Sequence, residues 1–448
     1  MARLMAGDRI GRSPCGRRSV LGSLSSEDRR ATPVVRGPAA SGAARKRARS
    51  ACRAIEIALL VVGCLLSRVE AFDITPPSPS ISAARTFDVK SQFGATGGGT
   101  QDDSAALQNA LDAANKAGGG QVFVPCGAYL IQTRLIIYSN TRLYGSGWCT
   151  IIRVGPKIDT ARGQAVKTPT GAGGTRSVVI EDLQIDGNKA NIPLHGDPNE
   201  QFQCGIELDE VTDGIVRNVF VHDTVENGII VDNSSTRIRV EGNLIVNPGK
   251  VGASGGRGIN SNISVTDLRI ANNTVVGAIG AGIVLQAEGG NHAERWLIEG
   301  NTVSGSGQTG IAVGDNEISA ITRVDIHVRR GAIVGNTIVS STGHGIRLFE
   351  YTRTNRFGRI GIMESITVSR NTVTANGGHG ISIEKGNDGS VCCIVVSGNI
   401  INDNVLSGVA TTTGTSDTVI AGNVILRNRG GPFSNGGARN VLGGNTTN

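Results

Sequence analysis

The chain has 448 residues, with 64 glycines, 13 prolines, 3% aromatic residues and a formal charge of +7. So few aromatics argue against a large aromatic core, and so many glycines argue for a turn-rich fold. The positive charge does not point to nucleic acid. Residues 1–71 hold 14 Lys+Arg and 5 Asp+Glu, which leaves 30 and 32 for the remainder, a net charge near −2. Residues 1–53 are rich in arginine. Ala54–Leu66 is apolar except for Glu56, and Val69-Glu70-Ala71 offers a cleavage site. We expect a basic leader with a secretory signal or anchor over 1–71 and a linker over 72–86. The apolar run is short for a spanning helix. The expected location is therefore secreted, cell-surface or periplasmic, with no stable membrane insertion after cleavage.

From Phe87 the chain reads as a non-repetitive module. Phe87-Asp88-Val89 and Phe93-Gly94-Ala95 precede a Gly-rich turn and Gln101-Asp102-Asp103-Ser104. A helix is expected over Ala105–Ala114, capped by Asp102, Asp103 or Ser104 and ended by Gly118-Gly119-Gly120. Strands follow at Gln121–Pro125 and Tyr129–Ile131. This order, with Leu143-Tyr144-Gly145-Ser146-Gly147 after it, resembles the pectate-lyase-like N-terminal module of the rhamnogalacturonase/epimerase group. The resemblance implies a β-helix whose open end is plugged by the helix. It leaves the reaction open among hydrolase, lyase and epimerase. Asp102 and Asp103 read as cap residues rather than as a catalytic pair.

Beyond the module, Asn recurs nine residues before Gly-Ile or Gly-Val: Asn273…Gly282, Asn301…Gly310, Asn336…Gly345, Asn371…Gly380 and Asn399…Gly408. Asn218…Gly228 and Asn243…Gly258 are looser copies. Three short β-branched runs accompany each copy, bounded by Gly, Asn, Ser or Thr, which is strand composition with turn punctuation. A period of this length marks a solenoid. The predicted fold is all-β: a single-stranded right-handed parallel β-helix over 87–448, with a capping module at 87–154 and repeat coils at 175–448. The Asn residues are expected at turns, in the αL conformation, with their amides stacked as a ladder. Cys126 and Cys149 lie about one coil apart and are expected to pair. Cys392-Cys393 is vicinal and Cys204 single. The Asn-to-Gly gap is constant while the Asn-to-Asn interval is 28, 35, 35 and then 28 residues. The extra residues should therefore form walls after the Gly-Ile strand, at Gln286–Arg295, Asp315–Arg330 and Phe349–Glu364.

Two polar patches flank that strand. Asp209, with Glu210 beside it, and Asp232 hold the same place in successive coils, so their backbones should lie about 5 Å apart. Such a pair suits acid/base chemistry on a glycosidic bond. His222 should lie in the turn between them. The second patch is His344, Arg347, Glu350, Tyr351 and Arg353, with His379, Glu384 and Lys385 one coil later; His344 and His379 should stack. Gly343-His344-Gly345-Ile346 and Gly378-His379-Gly380-Ile381 resemble the G-H-G-I strand of polygalacturonases. The Asn-Thr-Asp, Asp-Asp and Arg-Ile-Lys motifs of that family are absent. Arg347 and Arg353, with Tyr351 and Lys385, would suit a lyase or epimerase, which needs a cation for the uronate carboxylate and a base for the C5 proton. The Asp-Pro-His-Glu signature of mannuronan epimerases is also absent; Gly196-Asp197-Pro198-Asn199-Glu200 only echoes it.

The catalytic candidates are thus Asp209, Asp232, His344, Arg347, Tyr351, His379 and Lys385. Glu350, Arg353 and Glu384 are the expected substrate contacts. The expected function is a monomeric, carbohydrate-active protein acting on an acidic polysaccharide. The rival reading is a non-catalytic polysaccharide-binding or surface protein. No cofactor or metal is implied, although acidic groove residues would suit Ca2+, without a dedicated loop.

Overall fold

The computed structural model describes residues 81, 85–159, 163–171, 173–195, 203–253, 255–287, 292–315, 325–351, 357–386 and 388–448. The expected leader and all of the linker but Ile81, Arg85 and Thr86 lie outside them. So do Arg353 and the stretch 196–200.

Each coil folds as three short strands because apolar β-branched residues alternate with polar ones and a turn follows every three to nine residues. Among the described residues the strands stack into three parallel sheets of 14, 13 and 11 strands. We label them A, B and C in the order in which the chain visits them within a coil. Register is strict. In sheet C, Ile206, Ile229, Ile259, Ile283, Ile311, Ile346, Ile381 and Val409 lie on top of one another. In sheet B the column runs Ile185, Val221, Ile245, Val275, Val303, Ile338, Val373, Ile401. These side chains fill the bore and are fully buried; each contributes about 1.5–3 kcal/mol of burial. The fold is the expected right-handed parallel β-helix.

The ladder is present. Asn243, Asn273, Asn301, Asn336, Asn371, Asn399 and Asn423 each donate Nδ2–H to the Oδ1 of the next rung, the last of them to Asn445, at 2.9–3.0 Å. Each of these Oδ1 atoms also accepts the backbone N–H of the preceding rung, as Asn301 does from Asn273 at 2.9 Å. The conformational expectation needs correcting. The left-handed residue is the one before the Asn: Gly242, Asn272, Gly300, Gly335, Arg370, Gly398 and Gly422, with φ between 56° and 67°. That kink turns the next side chain inward, where the amide is buried and must be paired. Asn218 is itself such a kink residue (φ 51°), so Val219 holds the ladder place and the nine-residue gap to Gly228 is regular after all. A second, shorter ladder, Asn376–Asn404–Asn428, lines the turn between sheets B and C.

Helix α1 (Ser104–Lys116) buries Leu107, Ala110, Leu111 and Ala114, a spacing that keeps one apolar stripe. It packs against the first strands of all three sheets. Asp103 holds the N-cap position without a side-chain cap bond, and Asp102 accepts the Ser104 N–H at 3.0 Å. Asp103 instead ties down the Gly-rich turn through Thr96 N–H and Gly97 N–H. The Cys126–Cys149 bridge is formed. The walls are shorter than expected. Sheet C strands continue to Ala287, Asp315 and Glu350, and sheet A strands begin at Ala293, Ile326 and Gly361. Part of the added length extends the sheet A strand, which has seven residues in Ala293–Glu299 and nine in Ile326–Val334 and Gly361–Ser369; wall residues 288–291, 316–324 and 352–356 lie outside the described residues.

One packing contact yields a stability prediction. Trp296 is 1% exposed and its indole lies over Gly331, its register partner. A Cβ at Gly331 would overlap the ring. Gly331→Ala should therefore lower the unfolding free energy by about 1–3 kcal/mol. An unchanged denaturation midpoint would show that the indole can shift without cost.

Candidate functional site

The outer face of sheet C carries both patches, in strands five apart. In the first, Asp209 and Asp232 are register partners, as expected from their spacing. They are not equivalent. Asp232 ends its strand half-buried, and its carboxylate accepts the Asn233 N–H at 2.8 Å. Asp209 is 1% exposed and accepts bonds from Thr170 Oγ1 (2.6 Å) and Asn233 Nδ2 (2.7 Å). Lys167 Nζ lies 3.1 Å from Asp209 and is also paired with Glu207. Glu207 is itself buried, with Gln164 Nε2 at 2.8 Å. Burial works against the Lys167 ammonium, but the two carboxylates outweigh it and hold its pKa above the ordinary lysine value. The result is a cation clamped between two acids on the outer face of sheet C.

A third acid stands beside them. Glu226 comes from the turn before the next sheet C strand and is 7% exposed. Burial pushes its pKa up to about 7; Cys204 and Arg257 pull it down and Glu207 adds to the rise. The Cys204 thiol donates to Glu226 at 3.4 Å, and its own pKa lies well above the ordinary thiol value, chiefly through burial. Arg257 donates from Nη1 to Asn260 at 3.2 Å. One carboxyl therefore titrates near neutrality while its neighbours are ion-paired, a division that suits acid/base work. It also predicts a pH effect. Glu226 binds its proton more tightly folded than unfolded, so its contribution to stability is intact below about pH 4.5 and falls as pH rises towards 7. Melting temperature should decline over that window, and Glu226→Gln should flatten the decline. An identical profile in the variant would rule Glu226 out as its source.

The second patch is a closed network. Arg347 grips Glu384 with Nε at 3.1 Å and Nη2 at 2.8 Å. Tyr351 Oη bonds both of them, and Ser382 Oγ donates to Glu384 at 2.8 Å. Burial opposes the charge on Glu384, but these donors hold its pKa at about 2. His344 and His379 stack at 5.3 Å and 10°, as their positions imply. Their roles differ from those expected. Each Nδ1 accepts a backbone N–H from the next coil, His379 N at 2.9 Å and Ser407 N at 3.0 Å. Nδ1 is thus a lone-pair acceptor and the ring proton sits on Nε2, where it donates rather than abstracts. Burial lowers both imidazole pKa values further. His344 Nε2 lies 3.5 Å from Glu384. Glu350, expected to touch substrate, is fully buried. It pairs in register with Asp315 and Lys385 at the end of the strand. The alternation continues inward there, which takes the carboxylate out of the groove.

His222 does not lie between the two aspartates. It ends a sheet B strand and faces Asp186 and Asp223. Lys167, Glu207, Glu226 and Arg257 were not singled out from the sequence. Glu207 had a signal: it is the second residue after Gly205, an outward position in every coil. Lys167 had none, because no Gly-Ile precedes it. Among the described residues no three His, Cys, Asp or Glu side chains form a metal cluster, and no helix is long and apolar enough to cross a membrane.

The three stacked parallel sheets and the capping helix define a parallel β-helix protein of pectate-lyase-like type. The chain belongs to the rhamnogalacturonase A/epimerase, pectate lyase-like family, whose model matches residues 86–311; a right-handed β-helix model matches 257–447. The first segment contains the whole Lys167–Arg257 cluster and none of the Arg347 network. Mannuronan C5-epimerase AlgE2 of Azotobacter vinelandii is 27% identical over 261 residues, 51% of this chain and 25% of that protein. Alginate lyase 7 of the same organism is 39% identical over 113 residues, 23% of this chain and 13% of that protein. The matches thus span a quarter or less of these relatives. Among solved structures, the A-module of epimerase AlgE4 of Azotobacter vinelandii aligns with a TM-score of 0.58 at 19% identity, covering 81% of this chain and 97% of that one. An exopolygalacturonase from Thermotoga maritima aligns with a TM-score of 0.60 at 15% identity, covering 84% and 95%. At these identities the structural likeness concerns the fold.

Proposed function

We propose that this protein modifies an acidic polysaccharide by removing the C5 proton of a uronate residue, as a C5-epimerase or lyase. The centre is Lys167, Glu207, Asp209, Asp232 and Glu226 on sheet C. The observation that carries this reading is the Lys167 ammonium held between two buried carboxylates inside the family-matched segment. Abstraction at C5 builds negative charge on the uronate carboxyl, which a fixed cation in a partly dehydrated groove stabilises. Lys167 and Arg257 supply that cation. A carboxyl poised near neutrality, Glu226, is suited to pass the proton. Return of a proton to the opposite face gives the epimer; loss of the C4 substituent gives an unsaturated end. Relatives named as mannuronan epimerases and an alginate lyase support uronate over a neutral sugar. The basic leader supports export. The Arg347 network, outside the family-matched segment 86–311, is a remote contact with the same polymer.

The test is incubation with polymannuronate, polyguluronate and polygalacturonate in deuterated water. Deuterium at C5 with inversion identifies an epimerase, and ultraviolet absorbance of unsaturated ends a lyase. New reducing ends with neither would mean hydrolysis and overturn the proposal. No change in any polymer would favour the binding reading.

A further inference from the structure

The chain has two tryptophans. Trp296 is in the core, but Trp148 is 44% exposed on the outside of the first coils. Three restraints hold it there. Its neighbour Cys149 is bridged to Cys126. Its indole Nε1–H donates to Asn218 O at 3.3 Å. Its ring leans on Phe220 at 5.3 Å and 46°. An exposed indole fixed this firmly has lost its rotamer freedom before any ligand arrives, which lowers the cost of binding.

The surroundings are polar and planar. Phe220 continues the aromatic row to His222, 4.6 Å further along the same sheet B strand. Gln184 lies 2.8 Å from His222 Nε2, and Asp223 lies 2.8 Å from its Nδ1. Arg153 donates to Asp186 at 2.7 Å. Gln184 and Asp186 are the register partners of Phe220 and His222. Indole, phenyl, imidazole, amide and carboxylates thus form one patch across neighbouring sheet B strands. The apolar part is little more than Trp148, far below the roughly 800 Å² per partner of a stable protein interface. A pyranose ring matches it. Its C–H face is weakly positive and packs on the negative face of an aromatic ring, while its hydroxyls project to the side, where the carboxylates and amide accept and donate.

We propose that Trp148, Phe220 and the polar groups around them are an auxiliary glycan-binding surface on sheet B, separate from the sheet C groove. Its ligand is a pyranose chain, and it acts whether or not the groove turns substrate over.

The test uses the full chain and affinity electrophoresis in gels containing polymannuronate or a neutral β-glucan, with tryptophan fluorescence as a second readout. Trp296 is shielded, so a ligand-induced shift reports on Trp148. Trp148→Ala should weaken retardation about tenfold or more without lowering the melting temperature, and Trp148→Phe should restore part of it. Retardation by the neutral β-glucan, which offers the groove no uronate carboxyl, reads this surface alone and separates failure here from failure of the groove. Equal retardation of wild type and Trp148→Ala, no fluorescence response to either glycan, or a response to an oligonucleotide alone would each overturn the proposal.

Discussion

Asn301→Ala should be among the most destabilising single changes in the solenoid, at about 3–5 kcal/mol. Asn301 is fully buried in the middle of the ladder. Its Oδ1 accepts both the backbone N–H and the amide of Asn273, and its Nδ2 donates to Ile270 O and Asn336 Oδ1. Alanine would strand two donors and a carbonyl away from water, each costing about 1–3 kcal/mol. In a stacked-coil protein each coil contacts only its neighbours. The loss should therefore uncouple the coils on either side and broaden the transition. Asn445→Ala, at the partly exposed last rung, removes one side of the same ladder and should cost about 1 kcal/mol. Urea denaturation with limited proteolysis would compare them, and equal midpoints would contradict the account.

Lys167→Met should lower turnover on the responsive uronate polymer by about 10²–10⁴-fold, while Arg347→Ala should change it by no more than a few-fold. Methionine keeps the length of lysine and removes its charge. Two buried carboxylates would then face each other, so some loss of stability is expected as well; breaking a buried pair costs about 3–5 kcal/mol. The double variant Lys167→Met/Glu207→Gln relieves that repulsion. If Glu207→Gln alone retains turnover while the double variant recovers stability but not turnover, the lysine acts on the substrate. Recovery of both would make Lys167 structural. A large loss in Arg347→Ala with Lys167→Met unaffected would move the centre to the second patch.

Much of this molecule was legible in its sequence. The pairing of Asp209 with Asp232 and the stacking of His344 on His379 followed from counting along the repeat, because one coil returns the chain to the same place 4.8 Å or so higher. The same counting put the length variation after the Gly-Ile strand. It failed where a local feature broke the count. Asn218 occupies the kink rather than the rung, and Glu350 turns inward because its strand runs two residues further than the neighbouring turn suggested.

Of the proposed centre, Asp209 and Asp232 were legible and the rest was not. Lys167, Glu207 and Glu226 come from three coils of unequal length, and no spacing connects them. Periodicity alone determined the β-helix, its register, its ladder and its loop-bearing side, since a solenoid makes its contacts between neighbours at a nearly fixed interval. Only the tertiary structure decided which outward charges are buried, which are paired, and which imidazole nitrogen carries the proton. Those properties depend on the distances and solvent access of side chains brought together from separate turns, and residue order does not encode them one position at a time.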